Sequence, residues 1–194
     1  MRLLFLSSLT ACRHKNIGND KGGVTLKNMI YCSDLAYPPI CVAGKNRIYA
    51  QAMLSNMGGS NSEISAVSLY FYNSLVACAY KDIAEIFHHI SIVEMHHLEI
   101  FGKLAKQLGA DPRLWSQINR RMVYWTPQYN NYPTQLRMLL MNALHGEQKA
   151  VEKYTTQARR IKDENIVENL KRIIADEEIH IDIFKELLSC DKFV

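Results

Sequence analysis

Six residues of this chain stand where a buried helical seam calls for apolar groups. From residue 83 onward, Ile83, Phe87, Ile90, Glu94, His97, Phe101, Leu104 and Leu108 recur in alternating steps of four and three, the spacing of a helix face turned toward neighbouring helices. A second run repeats the arrangement as Leu170, Ile173, Glu177, His180, Phe184 and Leu187. A third, Leu136, Leu140, Ala143, Glu147, Ala150 and Tyr154, is interrupted by one glutamate. So is a fourth, Glu63, Val67, Tyr70, Ser74 and Ala77. Four carboxylates placed together in a core repel one another and lose their hydration. They are tolerated only when protonated or when cations sit among them. Glutamate oxygens with imidazole nitrogens suit iron or manganese, and a Glu and a His three residues apart share one helix face. Two ions held by Glu63, Glu94, His97, Glu147, Glu177 and His180 are therefore expected, with the four glutamates also the candidate catalytic groups.

Each group has a plainer reading in isolation. Glu63 lies three residues after Ser60 and could belong to a capping box behind Gly58-Gly59, and Glu-x-x-His is a common surface pair. The joint placement favours the metal. Glu147 follows Glu63 by 84 residues, Glu177 follows Glu94 by 83, His180 follows His97 by 83 and Tyr154 follows Tyr70 by 84, as expected of two helical hairpins related by a pseudo-twofold axis. Asp176 is placed to accept a hydrogen bond from the far nitrogen of His97, although its counterpart in the first half is Val93. Tyr70 and Tyr154 are candidate donors to the ligand carboxylates, or simply core residues. His88, His89, His96 and His145 fall off the seams or at their rim.

The elements that must position these groups are four helices. The first is expected from Asn46 to about Tyr80 with an interruption at Gly58-Gly59, and the second from Lys81 to Leu108, ended by Gly109. The third runs from Pro133 or Thr134 to Ile161, and the fourth from Asp163 to Leu188. Residues 110–132, with Pro112, Pro127 and Asn130-Asn131, make a long connection that has room for a short helix, and no strand is expected. Short links make antiparallel neighbours, so the fold class is an all-α, antiparallel four-helix bundle with one long crossover between helices 2 and 3. Residues 1–45 are expected to be a largely irregular arm, and 46–190 the bundle.

Composition sets the bounds. A chain of 194 residues with 48% hydrophobic and 22% charged residues suits one soluble domain. The net charge of +4 is scattered, so no nucleic-acid surface is expected. No apolar run is long enough for a membrane span. The five cysteines form no C-x-x-C pair, which points to free thiols and a cytoplasmic protein. A lipoprotein reading of Leu9-Thr10-Ala11-Cys12 is the alternative, set against a short apolar stretch that contains two serines.

Over about residues 37–188 the chain resembles the ferritin-like superfamily, in its rubrerythrin and manganese-catalase branch. Met57-Gly-Gly-Ser-Asn-Ser-Glu63-Ile-Ser-Ala66, with Tyr37-Pro38 upstream, resembles the start of manganese-catalase-type domains. Glu94-Met-His-His97, Gly146-Glu147-Gln-Lys-Ala150 with Tyr154, and Asp176-Glu-Glu-Ile-His180 resemble rubrerythrin helices. The chain departs from both groups. Ala150 stands where rubrerythrins carry a further glutamate, Gly146 where manganese catalases often carry arginine, and there is no C-x-x-C of a rubredoxin module. The resemblance implies two Fe or two Mn ions, oxidoreductase activity on hydrogen peroxide or dioxygen in protection against oxidative stress, and a homo-oligomer, dimer or larger. An external electron-donor protein would serve a peroxidase. The alternatives are iron oxidation and storage, or a structural role of the spore-coat kind.

Overall fold

The structure is a computed structural model describing residues 29–190; the Cys12 lipoprotein site lies outside them. Helix α1, Arg47–Gly58, begins at Asn46, whose side chain accepts from the amides of Ile48 (3.0 Å) and Tyr49 (3.1 Å). It stops at Gly58-Gly59, and α2, Glu63–Val76, follows after four residues. The expected first helix is thus two. A Cβ on Gly58 would lie 2.6 Å from the backbone nitrogen of Trp115, and one on Gly59 would lie 2.6 Å from the carbonyl oxygen of Ser55. Lys153 spans the break by donating to the carbonyl of Ser55 (2.9 Å), which also accepts from the amide of Gly59 (3.1 Å), and to that of Asn61 (2.8 Å).

Helix α3 spans Lys81–Gln107 and ends through Gly109, whose φ of +94° suits glycine. Helix α4 spans Leu136–Arg160, and α5, Glu164–Ser189, starts at Asp163, which accepts from the amide of Asn165. Helix α2 packs on α3, α4 on α5, and α1 on α3, making a ferritin-like helical bundle. The apolar core falls into two parts. One gathers Tyr70, Ile83, Phe87, Ile90, Leu140 and Phe184; the other gathers Met53, Phe101, Leu104, Tyr154, Leu170 and Ile173. The six glutamates and histidines lie between them. The repeat extends into the packing: Tyr70 meets Phe184 at 5.8 Å and Tyr154 meets Phe101 at 5.3 Å between ring centroids, with Phe184 standing 83 residues after Phe101.

The expectation of no strand is corrected. Strands β1, Trp115–Ile118, and β2, Arg121–Tyr124, form an antiparallel hairpin with Trp115 opposite Tyr124. Its two turn residues, Asn119 (φ 49°) and Arg120 (φ 66°), are left-handed, as a two-residue hairpin turn requires. Four-residue strands carry too little alternation to be legible, and arginine is a poor signal for such a turn. The short helix allowed for in this connection is a single 3-10 turn, Pro127–Tyr129.

Residues 29–45 contain no helix or strand and lie along α3 and α5. Gln107 donates to the carbonyl of Ile40 (2.8 Å), Asn169 to that of Pro39 (3.2 Å), and the amide of Ala43 to Asp163 (2.7 Å). Among the described residues no helix is long and apolar enough to cross a membrane.

Two glycine substitutions separate close approach from helix propensity. Gly58→Ala must displace the hairpin backbone and is expected to destabilise by about 1–3 kcal/mol. Gly146→Ala, in the interior of α4 with nothing within 4 Å of the added Cβ, is expected to stabilise by about 0.5–1 kcal/mol. Denaturant unfolding of both variants checks the two signs.

Candidate metal centre

None of Glu63, Glu94, His97, Glu147, Glu177 and His180 exposes more than 2% of its surface. Their side chains converge in two groups. Ligand-type atoms of Glu63, Glu94, His97 and Glu177 lie within 4.8 Å of one another, and so do those of Glu94, Glu147, Glu177 and His180. Glu94 and Glu177 are common to both. Nδ1 of His97 is 3.3 Å from Oε1 of Glu177, 3.6 Å from Oε2 of Glu94 and 4.0 Å from Oε2 of Glu63. Nδ1 of His180 is 3.0 Å from Oε1 of Glu94, 3.1 Å from Oε2 of Glu177 and 3.8 Å from Oε1 of Glu147. Each shared carboxylate thus turns one oxygen to each histidine.

The far nitrogens are held from outside the cluster. Nε2 of His97 is 3.0 Å from Oδ2 of Asp176. Nε2 of His180 is 2.9 Å from the carbonyl oxygen of Tyr31, which can only accept. His180 therefore donates from Nε2, and its neutral ring presents a lone pair at Nδ1 to the carboxylates. That lone pair suits a cation. Without one, the ring must take a second proton.

Burial and the carboxylates of Glu94 and Glu177 push Glu63 and Glu147 well above the usual glutamate range. Burial also opposes ionisation of Glu94, but the imidazoles of His180 and His97 beside it outweigh that and hold the carboxyl below its usual range. For both histidines burial lowers the pKa, and the surrounding carboxylates outweigh it and raise the pKa well above 6.5. Tyr70 donates to Glu147 and Tyr154 to Glu63, each crossing to the glutamate of the other hairpin. Burial first, and then the carboxylates, raise both phenols and keep them donors.

Several buried atoms nevertheless lack hydrogen-bond partners: both oxygens of Glu94, Oε1 of Glu177 and Nδ1 of His97. Buried polar atoms are rarely left so. Here they are ligand-type atoms aimed at common points, and two divalent cations would satisfy the lone pairs and offset the like charges. The residues present fit such ions. A cavity of about 230 Å³ leads to this cluster between α2 and α4; it touches Glu63, Glu94 and Glu147 at its inner end and Asn131, His145 and Lys149 farther out.

All six residues singled out from the seams are brought together, and Asp176, Tyr70 and Tyr154 touch them. The capping box does not form: Ser62, not Ser60, precedes α2, and the carboxyl of Glu63 is buried on Tyr154. Off the seams, His96 meets the ring of Tyr37 edge-on at 4.5 Å, His89 stacks on Tyr31 at 4.9 Å, and His88 and His145 are exposed. The seams gave no warning of Tyr31, Tyr37 or Arg172. A backbone carbonyl has no side-chain signature, whereas Arg172, one helical turn before Asp176, was a readable ion pair.

Fold and site together define a helical bundle with a buried glutamate–histidine centre able to hold metal. The rubrerythrin family model matches residues 59–188, 130 of the 194, and the chain belongs to that family. No curated protein matches it. Among solved structures it is similar to a manganese catalase from Anabaena, with 21% identity, 84% of each chain covered and a TM-score of 0.72. It is also similar to a Mycobacterium tuberculosis bacterioferritin, with 21% identity, 75% of this chain and 86% of that one covered and a TM-score of 0.59. These likenesses support the ferritin-like fold.

In metal-free protein, Glu63 and Glu147 bind protons more tightly folded than unfolded, and so do both histidines. Stability from this source is present at low pH. It is lost as pH rises above 4.5 for the glutamates and above 6.5 for the histidines, toward their raised folded values. Thermal unfolding of chelator-treated protein should therefore fall in Tm from pH 6 to pH 9. Tyr154→Phe, which leaves the Glu63 carboxyl without its donor, should cost about 1–3 kcal/mol in the same protein.

Proposed function

We propose that the chain is an oxidoreductase that uses two iron or manganese ions to act on hydrogen peroxide or dioxygen, with peroxide disproportionation as the leading activity. The observation that carries this reading is the convergence of buried carboxylate oxygens and imidazole nitrogens on two points sharing Glu94 and Glu177, with both Glu94 oxygens, Oε1 of Glu177 and Nδ1 of His97 lacking hydrogen-bond partners. Glu63 and His97 would complete one ion's ligands, and Glu147 and His180 the other's. Ions held there would supply the two-electron exchange that cleaves the O–O bond of one peroxide and oxidises a second to dioxygen.

The chain's own residues account for the rest. The small cavity admits a diatomic molecule or peroxide and opens on the side of Glu63 and Glu147. Tyr154 and Tyr70 fix those two carboxylates, and Asp176 and the Tyr31 carbonyl fix the two imidazoles, so that each ligand atom is held before substrate arrives. Ala150 lines the cavity at the position where rubrerythrins carry a further glutamate, which leaves room there and removes a carboxylate able to exchange between ions. Disproportionation converts two peroxides to two waters and one dioxygen and needs no outside reductant, which suits this arrangement. Membership of the rubrerythrin family favours a second reading, a peroxidase. That activity would draw two electrons for each peroxide from a separate donor protein.

Protein produced with both metals supplied should carry about two ions per chain by mass spectrometry, and manganese-loaded protein should evolve oxygen from peroxide. Glu94→Ala and His180→Ala should each lower metal content below one ion per chain. Oxygen evolution should fall by more than the roughly 10–100-fold typical of losing a neighbouring hydrogen bond. Two irons with no oxygen evolution, but peroxide reduction by an added donor, would select the peroxidase. Metal near zero in the unaltered protein would refute the two-metal reading.

A further inference from the structure

The pseudo-twofold relation pairs Glu63 with Glu147, Glu94 with Glu177, His97 with His180 and Tyr154 with Tyr70. It fails at the far nitrogens of the two histidines. His97 Nε2 meets the carboxylate of Asp176 at 3.0 Å; the counterpart of Asp176 is Val93, which is buried and apolar. His180 Nε2 instead meets the peptide carbonyl of Tyr31 at 2.9 Å.

The segment from Tyr31 to Tyr37 creates both contacts. It offers its own carbonyl to His180. It also surrounds Asp176: the amide of Ser33 donates to Oδ1 at 2.7 Å, and the hydroxyl of Tyr37 donates to Oδ2. Arg172 donates to Oδ1 as well. Its remaining nitrogens hold the segment in place through the carbonyls of Leu35 (2.7 Å) and Ser33 (2.8 Å), with the guanidinium 4.0 Å above the Tyr37 ring. Asp176 is thereby fixed as an anion facing one imidazole.

A carboxylate acceptor makes an imidazole a stronger donor at its opposite nitrogen than a neutral carbonyl does. Arg172 pairs with Oδ1 of Asp176 and offsets its charge, but Oδ2 keeps its contact with the ring. Lys153, which interacts with Glu63, acts in the opposite direction, but its ammonium is already directed to two carbonyls.

We infer that the Tyr31–Tyr37 segment makes the two metal positions unequal, so that the position bounded by Glu63 and His97 binds the more tightly and fills first. Arg172 is a positioning residue that acts on it through Asp176, and Tyr37 acts both through Asp176 and through its hydroxyl, 3.4 Å from Nε2 of His97. The inference rests on the two-metal reading.

Titration of the metal-free full chain with manganese(II), read by electron paramagnetic resonance, tests it. Two steps are expected, the first tighter by about tenfold or more, on the scale of a change in a ligand's hydrogen-bond partner. Glu63→Gln and Glu147→Gln would be equivalent in a symmetric centre. Here Glu63→Gln should abolish the tight step, while Glu147→Gln keeps it and loses the weaker one. Tyr37→Phe keeps the ring against Arg172 and His96 and removes only the hydroxyl, so it should weaken the tight step alone. Gln107→Ala, which frees the chain from α3 at Ile40, three residues beyond that segment, should leave both steps unchanged. Thermal unfolding of the metal-free variants identifies any that fail to fold. Metal uptake in two equal steps, or equal losses in the two glutamine variants, would overturn the inference and leave the two-metal reading standing. No uptake by the unaltered chain would overturn both.

Discussion

Four carboxylates buried within 4.0 Å of two imidazoles are unstable by themselves, since each repels the others and none is hydrated. Much of the bundle is arranged around that repulsion. The apolar seams stop at these six residues and resume beyond them. Two tyrosines cross the bundle to anchor the outer glutamates, and the far nitrogens of both histidines are tied down from outside. In the metal-free protein the cluster retains protons. With cations between the carboxylates, the same lone pairs would become ligands, and folding, proton binding and metal binding would be linked at one place.

The break between α1 and α2 serves the same end. A continuous first helix would carry its register past the centre. Ending α1 at Gly58, against the backbone of the hairpin, lets α2 restart with Glu63 as its first residue and that carboxyl turned inward. Lys153 and the pair Asn56–Gln157, joined by two hydrogen bonds of 2.7 and 2.9 Å, tie the break to α4. Asn130 donates to the carbonyl of Ser65 and Trp125 to its hydroxyl, so the long connection also steadies the start of α2.

Helix positions and the site were legible because a long amphipathic helix repeats its signal many times. A glutamate in an otherwise apolar seam stands out against that repetition, and the offset of 83 or 84 residues links one such interruption to the next. The hairpin was not legible, because two four-residue strands repeat nothing and Asn119-Arg120 is an uncommon pair for a left-handed turn. The role of residues 31–37 was hidden for a different reason. Tyr31 acts through its backbone, and Tyr37 and Ser33 act through Asp176, which lies some 140 residues later in the chain. Asp176 itself was readable from its place beside Glu177 and one turn after Arg172.

Whether this buried cluster takes two cations is read by anomalous diffraction from crystals of manganese-loaded protein. Two peaks are expected within coordination distance of the chain, one beside Nδ1 of His97 and one beside Nδ1 of His180, with Glu94 and Glu177 reaching both. A single peak, or peaks only at surface carboxylates with the six side chains hydrogen-bonded among themselves, would contradict a two-cation site.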